Sequence, residues 1–312
     1  MQPRCDVFAT TTGWRAAAGS SNVPRVHDSL VPGFSVSGDS DGRWPLVMAS
    51  PHSGRDYPAA FLAASRLTLA QLRRAEDAHV DSLLDGVQGV PVLRARHGRA
   101  FLDLNRAENE IDPVMIDGPM AMAPQLTDRV AAGLGVLPRV AAQGLDIYRR
   151  RVTAVDAEAR LAALHRPWHK RIAELLDRAR ARHGYAILID CHSMPKPAGV
   201  LPPQVVIGDR FGGSAAPALV ALIEQHFRQT GWRVARNAPY AGGYTTEFHG
   251  LPAAGIHAVQ VEIDRNLYMD ANRLVRHDGF DGVAAQMAGL ARLLLATAPL
   301  LGLGPDLREA AE

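Results

Sequence analysis

Apolar residues fall in short runs separated by longer amphipathic stretches, and the two spacings predict alternating strands and helices. Pro45-Leu46-Val47-Met48-Ala49-Ser50 reads as a buried strand stopping at Pro51-His52-Ser53-Gly54. Leu67 to Gly86 reads as a helix, with Leu69, Leu72, His79, Leu83 and Leu84 at helical spacing. Val90 to Ala95 and Arg99 to Leu104 read as a strand pair turning at His97-Gly98. From Gly118 to Gly144 the pattern weakens between Pro and Gly residues, which predicts a long loop with one short helix. Ala154 to Arg182 is the longest helical stretch, its stripe marked by Leu161, Leu164, Trp168, Ile172, Leu175 and Leu176 and its end by His183-Gly184. Tyr185 to Asp190 is almost wholly apolar, as in a strand covered on both faces. Gln204–Gly208, Trp232–Ala235 and His257–Ile263 read as further strands, and Ala216–Gln229 and Gly279–Ala298 as helices.

This alternation predicts an α/β fold, a three-layer αβα sandwich around a mixed, mostly parallel sheet. Residues 1–25 are rich in Thr, Ser, Gly and Ala and are expected to be a poorly ordered lead-in; residues 26–312 are expected to form a single domain. The 312 residues, 47% of them hydrophobic, suffice to bury a full core. The 34 basic and 32 acidic residues nearly balance, so charge gives no case for a nucleic-acid partner. Arg149-Arg150-Arg151, the densest basic run, reads as the solvated face of a helix. Two cysteines, Cys5 and Cys191, make no disulfide framework and suit a reducing, cytoplasmic setting. No apolar stretch is read as a membrane span, and no membrane partner is expected.

Several strand ends carry ionisable residues, and in open α/β sheets ligands sit at those ends. His52 follows one strand, Asp190-Cys191-His192 another and Asp103-Leu104-Asn105-Arg106 a third, while Glu262 lies within a fourth. One such histidine is ordinarily a satisfied structural residue. Four such positions together supply imidazoles, carboxylates, an amide and a guanidinium. Imidazoles with a carboxylate suit zinc with an open coordination position, a further carboxylate suits a general base, and an arginine grips a substrate carboxylate with two prongs. Arg99 reads as sharing a strand face with Asp103, either as a second substrate clamp or as a surface cation. His249, after the Gly242-Gly243 loop, is a candidate for stabilising an oxyanion. Cys191 invites a nucleophile role, but successive strand residues face opposite ways and a buried inert thiol is the simpler reading.

The chain resembles the N-formylglutamate amidohydrolase family. The matching segments are Ser50-Pro51-His52-Ser53-Gly54, Asp77-Ala78-His79, Phe101 to Arg106, His165-Arg166-Pro167-Trp168-His169, Asp190-Cys191-His192-Ser193, Gly242 to Thr246 and His257 to Glu262. The resemblance implies a fold and metal site shared with zinc carboxypeptidases and aspartoacylases. It implies one Zn2+ per chain, held by His52, His192 and a carboxylate. It implies Asn105 and Arg106 as the pair that binds a substrate carboxylate, and Glu262 as the general base. For the third ligand the resemblance favours Asp77, which falls in the family's Asp-x-His pattern, with Asp56, nearer His52 in a Pro-closed turn, as the alternative. Asp190 is either a support for His192 or a purely structural acid. The family usually follows Gly-Gly-Tyr-x-Thr with Arg, whereas this chain has Glu247 there, a candidate substrate contact that would repel an acidic side chain. The expected activity is removal of an N-formyl or other small N-acyl group from an amino acid, with N-formyl-L-glutamate as the first substrate to test. A carboxypeptidase or another deacylase is the alternative, and a non-catalytic metal-binding protein is the alternative from another class. The oligomeric state is not indicated.

Overall fold

A computed structural model describes residues 33–305. The expected lead-in at residues 1–25, with Cys5, lies outside the described residues. The central sheet has seven strands: β1 (Phe34–Ser37), β2 (Leu46–Ser50), β3 (Val92–Ala95), β4 (Ala186–Met194), β5 (Val205–Gly208), β6 (Val234–Arg236) and β7 (Ile256–Asp264). Their spatial order is β1-β3-β2-β4-β7-β5-β6. The β3, β2, β4 and β7 strands run parallel, as do β5 and β6, whereas β1 against β3 and β5 against β7 are antiparallel. The sheet is therefore mixed and mostly parallel.

The helices are α1 (Ala59–Ala64), α2 (Leu69–Arg73), α3 (Val80–Leu83), α4 (Asp128–Ala131), α5 (Ala154–Arg160), α6 (Arg166–His183), α7 (Pro217–Gln229), α8 (Tyr244–His249) and α9 (Phe280–Thr297). They divide between two cores, one on each sheet face. The period of two in β4 and β7 sorts the residues. Ile187, Ile189, Cys191, Val259 and Val261 join α3, α7 and α9 on one face. Ala186, Leu188 and Ala258 join α1, α2 and α6 on the other. Cys191 thus faces away from His192, as the alternation implies.

The α5 and α6 helices run on through a π turn at Leu161–His165. Pro167 lacks the N–H that would bond back to Ala163, which loosens the ladder there. The α6 helix buries Trp168, Ile172, Leu175 and Leu176. Each such side chain is worth about 1.5–3 kcal/mol on burial, against about 0.3–0.5 kcal/mol for a surface pair such as Arg171–Glu174. Packing on the sheet, not surface charge pairing, fixes this helix.

Three readings of local structure need correction. The helix expected over Leu67–Gly86 is interrupted: α2 ends at Arg73, the Asp77 N–H donates to the His52 carbonyl at 3.0 Å, and His79 takes a left-handed φ of 67° before α3. The stretch Arg99–Leu104 is a chain of turns, not a strand. The run Arg149-Arg150-Arg151 is exposed but lies in a bend before the long helix, where the Arg149 Nε donates to the Ser65 carbonyl at 2.8 Å. A fourth correction concerns Phe280–Leu300, 21 residues with mean hydropathy 1.4, long and apolar enough to cross a membrane by length and composition. Here Val283, Met287, Leu290 and Leu294 spend that apolar character on the core beneath the sheet.

Candidate active site

The carboxyl ends of β2, β4 and β7 meet on the face covered by α6. Asp190 pairs in register with Gln260, and His192 with Glu262, on adjacent parallel strands. All four have the even parity that faces α6, so their side chains form one polar square at the top of an apolar sheet face. His52 joins them from the turn after β2. Asp77 joins through the break between α2 and α3, tied by its backbone bond to His52.

The ring nitrogens of His52 and His192 and one Asp77 carboxylate oxygen all lie within 4.8 Å of one another, and all three residues are buried. His192 Nδ1 is 3.0 Å from Asp77 Oδ2. His52 Nδ1 is 3.4 Å from the same oxygen but is buried without a hydrogen bond. The far nitrogen of each ring donates to its own carboxylate: His52 Nε2 to Asp103 Oδ1 at 2.6 Å, His192 Nε2 to Asp190 Oδ2 at 2.8 Å. With Nε2 carrying the proton, both Nδ1 lone pairs point at one place, as ligating imidazoles are arranged. The other Asp77 oxygen accepts from Arg265 Nη2 at 2.9 Å. The donor set, two imidazoles and a carboxylate with one orphaned nitrogen, fits a divalent cation.

The electrostatics follow from burial set against neighbours. Burial opposes charge on His192, but Asp190, Asp77 and Glu262 together carry its imidazole well above the usual range. Burial likewise opposes charge on Asp103, yet Arg99, His52 and Arg106 hold its carboxyl well below the usual range. For Glu262 burial prevails and pushes the carboxyl up to about 7, with the His192 charge pulling the other way and Asp77 adding to the rise. Gln260 Nε2 donates to Glu262 Oε1 at 2.8 Å and fixes the carboxyl in place.

Asn105 bridges the square to the Gly242-Gly243 loop. Its Nδ2 donates to Gln260 Oε1 at 3.2 Å, and its Oδ1 accepts from the Thr245 N–H at 2.8 Å. A Cβ on Gly243 would stand 2.4 Å from that Nδ2, so the loop needs glycine for close approach. Arg106 is locked by donating from Nε to the Leu134 carbonyl and from Nη1 to the Asn105 carbonyl. Behind them stand three histidines. His165 Nε2 donates to the Arg106 carbonyl at 2.8 Å and His169 Nε2 to the Leu104 carbonyl at 2.9 Å. His169 Nδ1 is then left to accept from His249 Nε2 at 3.0 Å.

The structure brings His52, Asp77, His192, Asn105, Arg106, Arg99 and Glu262 together. Two cavities share Arg99, Arg106, Tyr240 and Glu262 as a common wall. The smaller, about 120 Å³, adds His52, His192, Asn105 and the Gly242-Gly243 loop. The larger, about 720 Å³, adds Asp77, Arg265 and a wall of Leu134, Pro138, Val140 and Ala141.

Other expectations are overturned. Asp56 is not part of the trio: it is half-buried and paired with Arg96 at 3.3 Å. His249 is not at the cleft as an oxyanion donor; it ends α8 on that helix's buried side, against His169, and burial pushes its imidazole down to about 4. Glu247 does not face the cleft either. It lies on the exposed side of α8, its Oε2 2.8 Å from Arg210 Nη2, so it sets no charge against a ligand. Arg99 meets Asp103 at 2.7 Å across a turn, not along a strand. Of the two readings of Asp190, the geometry gives the support: residues two apart on a strand share a face, and its Oδ2 accepts from His192 Nε2 at 2.8 Å. His79, two residues from Asp77, bonds the Leu274 carbonyl at 2.9 Å. Sequence reasoning missed the roles of Asp103, Gln260 and Arg265. Period two counted back from Glu262 would have found Gln260; nothing local in the sequence points Arg265 at Asp77, 188 residues away.

Residues 44–269 match the family model described as N-formylglutamate amidohydrolase. An N-formylglutamate deformylase of Pseudomonas aeruginosa is 32% identical over 239 residues, 73% of this chain and 84% of that protein. One from Pseudomonas putida is 29% identical over 238 residues, 73% of this chain and 83% of that protein. The crystal structure of an N-formylglutamate amidohydrolase from Ralstonia eutropha superposes with a TM-score of 0.81 at 32% identity, covering 87% of this chain and 100% of that one.

Proposed function

The chain belongs to the N-formylglutamate amidohydrolase family, and from that premise we propose that it is a zinc-dependent hydrolase releasing formate from N-formyl-L-glutamate, with residues 33–305 acting as one catalytic unit. The observation that carries this reading is the convergence of His52, His192 and Asp77 on one point, with each imidazole backed by its own carboxylate. Zn2+ held there supplies Lewis acidity, drawing charge from an acyl carbonyl and making water easier to deprotonate.

The chain's own residues do the rest. Glu262, in the wall common to both cavities, takes a proton from the attacking water and delivers it to the departing nitrogen. Its buried carboxyl, pushed up to about 7, suits both directions of that transfer near neutral pH. Arg99, in the same wall, lends positive charge to the acyl oxygen. Asn105 orders the Gly242-Gly243 loop, and the Nη2 end of Arg106 faces a substrate carboxylate. The pairing of Glu247 with Arg210 removes the one negative charge that spoke against an acidic amino acid.

The test is formate release from N-formyl-L-glutamate by chelator-treated protein. Turnover should vanish, return with zinc, and fail to return in His192→Ala. Turnover that survives complete metal removal would sink the reading.

One observation favours a second reading. The larger cavity is far roomier than a formyl group requires, and its outer wall is apolar. That shape suits a deacylase for longer N-acyl amino acids. Comparing N-formyl, N-acetyl and N-butyryl glutamate separates the two: a deformylase loses kcat/KM with each added carbon, and a broader deacylase keeps it.

A further inference from the structure

The arginines around the trio are mostly committed. Arg99 gives an Nη to Asp103 at 2.7 Å, and Arg265 gives one to Asp77 at 2.9 Å. Arg106, which lines the cavity, spends Nε and Nη1 on backbone carbonyls and has Nη2 4.0 Å from Asp103 Oδ2. Arg129 is different. It lines the smaller cavity and is exposed, and its guanidinium has no ion pair among the described residues.

Its placement is built rather than incidental. It sits in the first turn of α4, whose N-cap Thr127 accepts from the Val130 N–H at 3.2 Å. The Thr127 hydroxyl in turn donates to Glu110 Oε1 at 3.0 Å. The Glu110 Oε2 accepts from the Ala107 N–H at 2.9 Å, immediately after the Asn105-Arg106 pair. The α4 turn is thereby pinned to the loop that carries Arg106. Burial first, and then the charges of Arg99 and Arg129, hold Arg106 below its ordinary value against the pull of Asp103. Three guanidiniums therefore face a cavity of about 120 Å³ whose one lining acid is Glu262. Asp103 answers Arg99 at 2.7 Å and stands 4.0 Å from Arg106 Nη2, so Arg129 is the guanidinium of the three with no acid beside it among the described residues, and its unanswered charge makes this side of the cavity a site for an anion.

We propose that Arg129 is the specificity-determining residue for the second carboxylate of the substrate, taking the side-chain carboxylate of a dicarboxylic N-acyl amino acid while Arg106 holds the other. This rests on the hydrolase function proposed above and names the feature that selects its substrate. The division of labour follows from geometry. Two sites on the Arg106 guanidinium are spent on the backbone, whereas Arg129 presents its whole fork, the shape that a carboxylate accepts in bidentate fashion.

The experiment compares N-formyl-L-glutamate with N-formyl-L-glutamine, which differs by one charge, on the zinc-loaded wild type, Arg129→Gln and Arg129→Lys. The glutamate-to-glutamine ratio of kcat/KM should fall about 10- to 100-fold in Arg129→Gln, through KM rather than kcat, and Arg129→Lys should recover most of it. The ratio is internal to each variant, so a partly folded preparation leaves it intact. An unchanged ratio overturns the proposal, as does an equal loss on both substrates. Binding of glutarate and of butyrate, measured by calorimetry on the same proteins, needs no turnover. Glutarate should bind at least 10-fold more weakly to Arg129→Gln, with butyrate little changed, and equal glutarate affinity overturns the proposal. A wild type that releases no formate but binds glutarate through Arg129 would count against the hydrolase function and not against the role of Arg129.

Discussion

At the scale of single residues, the site works because each group has one partner that fixes it and one side left for chemistry. Asp103 and Asp190 do this for His52 and His192. Supports of this kind are worth about 10- to 100-fold in metal affinity. Asp190→Asn and Asp103→Asn should each weaken zinc binding by about that factor, read by competition with a chromophoric chelator; affinity within 2-fold of the wild type would show the two carboxylates to be structural only. Glu262→Gln separates binding from chemistry. It should keep one zinc per chain by elemental analysis while kcat falls by roughly 10²–10⁴-fold. Near-normal turnover in that variant would remove Glu262 from the role of base.

At the scale of elements, the site is a set of strand ends and breaks held in register. The β4 and β7 strands supply four side chains by alternation alone, but Asp77 arrives only because the helical stretch breaks, and Asn105 only because the segment after β3 is a chain of turns. The Gly242-Gly243 loop then closes on Asn105, with Gly243 packed against its carboxamide. Gly243→Ala would press a methyl into that group and unseat both the Asn105–Gln260 and Asn105–Thr245 bonds. We expect kcat/KM to drop at least 10-fold with the thermal midpoint lowered by only a few degrees, since one loop is displaced and the core is not. Full activity in Gly243→Ala would mean that the close approach is incidental.

At the scale of the whole molecule, the buried histidines behind the site tie stability to pH. Burial lowers His249 to about 4, and burial, reinforced by the charges of His165 and His249, lowers His169 well below the ordinary value. A histidine depressed in the folded state is protonated more readily when unfolded, so acid favours the unfolded chain. The His249 contribution is complete above about pH 6.5, the ordinary value, and is lost progressively as the pH falls toward 4. Its full extent is roughly 3 kcal/mol at 1.36 kcal/mol per unit. Denaturant midpoints should therefore fall between pH 6.5 and 4, and His249→Gln should flatten that slope. An equal slope in the variant would assign the acid sensitivity to other groups.

The sequence by itself determined the layers and the chemical inventory. Period two and period 3.6 are local properties, and they placed β2, β4, β7, α7, α9 and the continuous α5–α6 stretch to within a few residues. The same alternation sent Cys191 away from His192, whose place after an apolar strand run was also readable. The tertiary structure alone decided which polar residues meet. Asp77 over Asp56, Arg265 on Asp77, Asp103 behind His52, Glu247 turned out to Arg210 and His249 buried against His169 are all contacts between segments distant in the chain. Their geometry depends on where a helix breaks and how a loop folds back. Such breaks come from competition between weak local preference and the burial of surfaces that local spacing does not record. That is why a donor set of imidazoles and a carboxylate was legible in advance, with Asp77 named among its candidates, while the partners that fix those donors and the turn of Glu247 toward Arg210 were not.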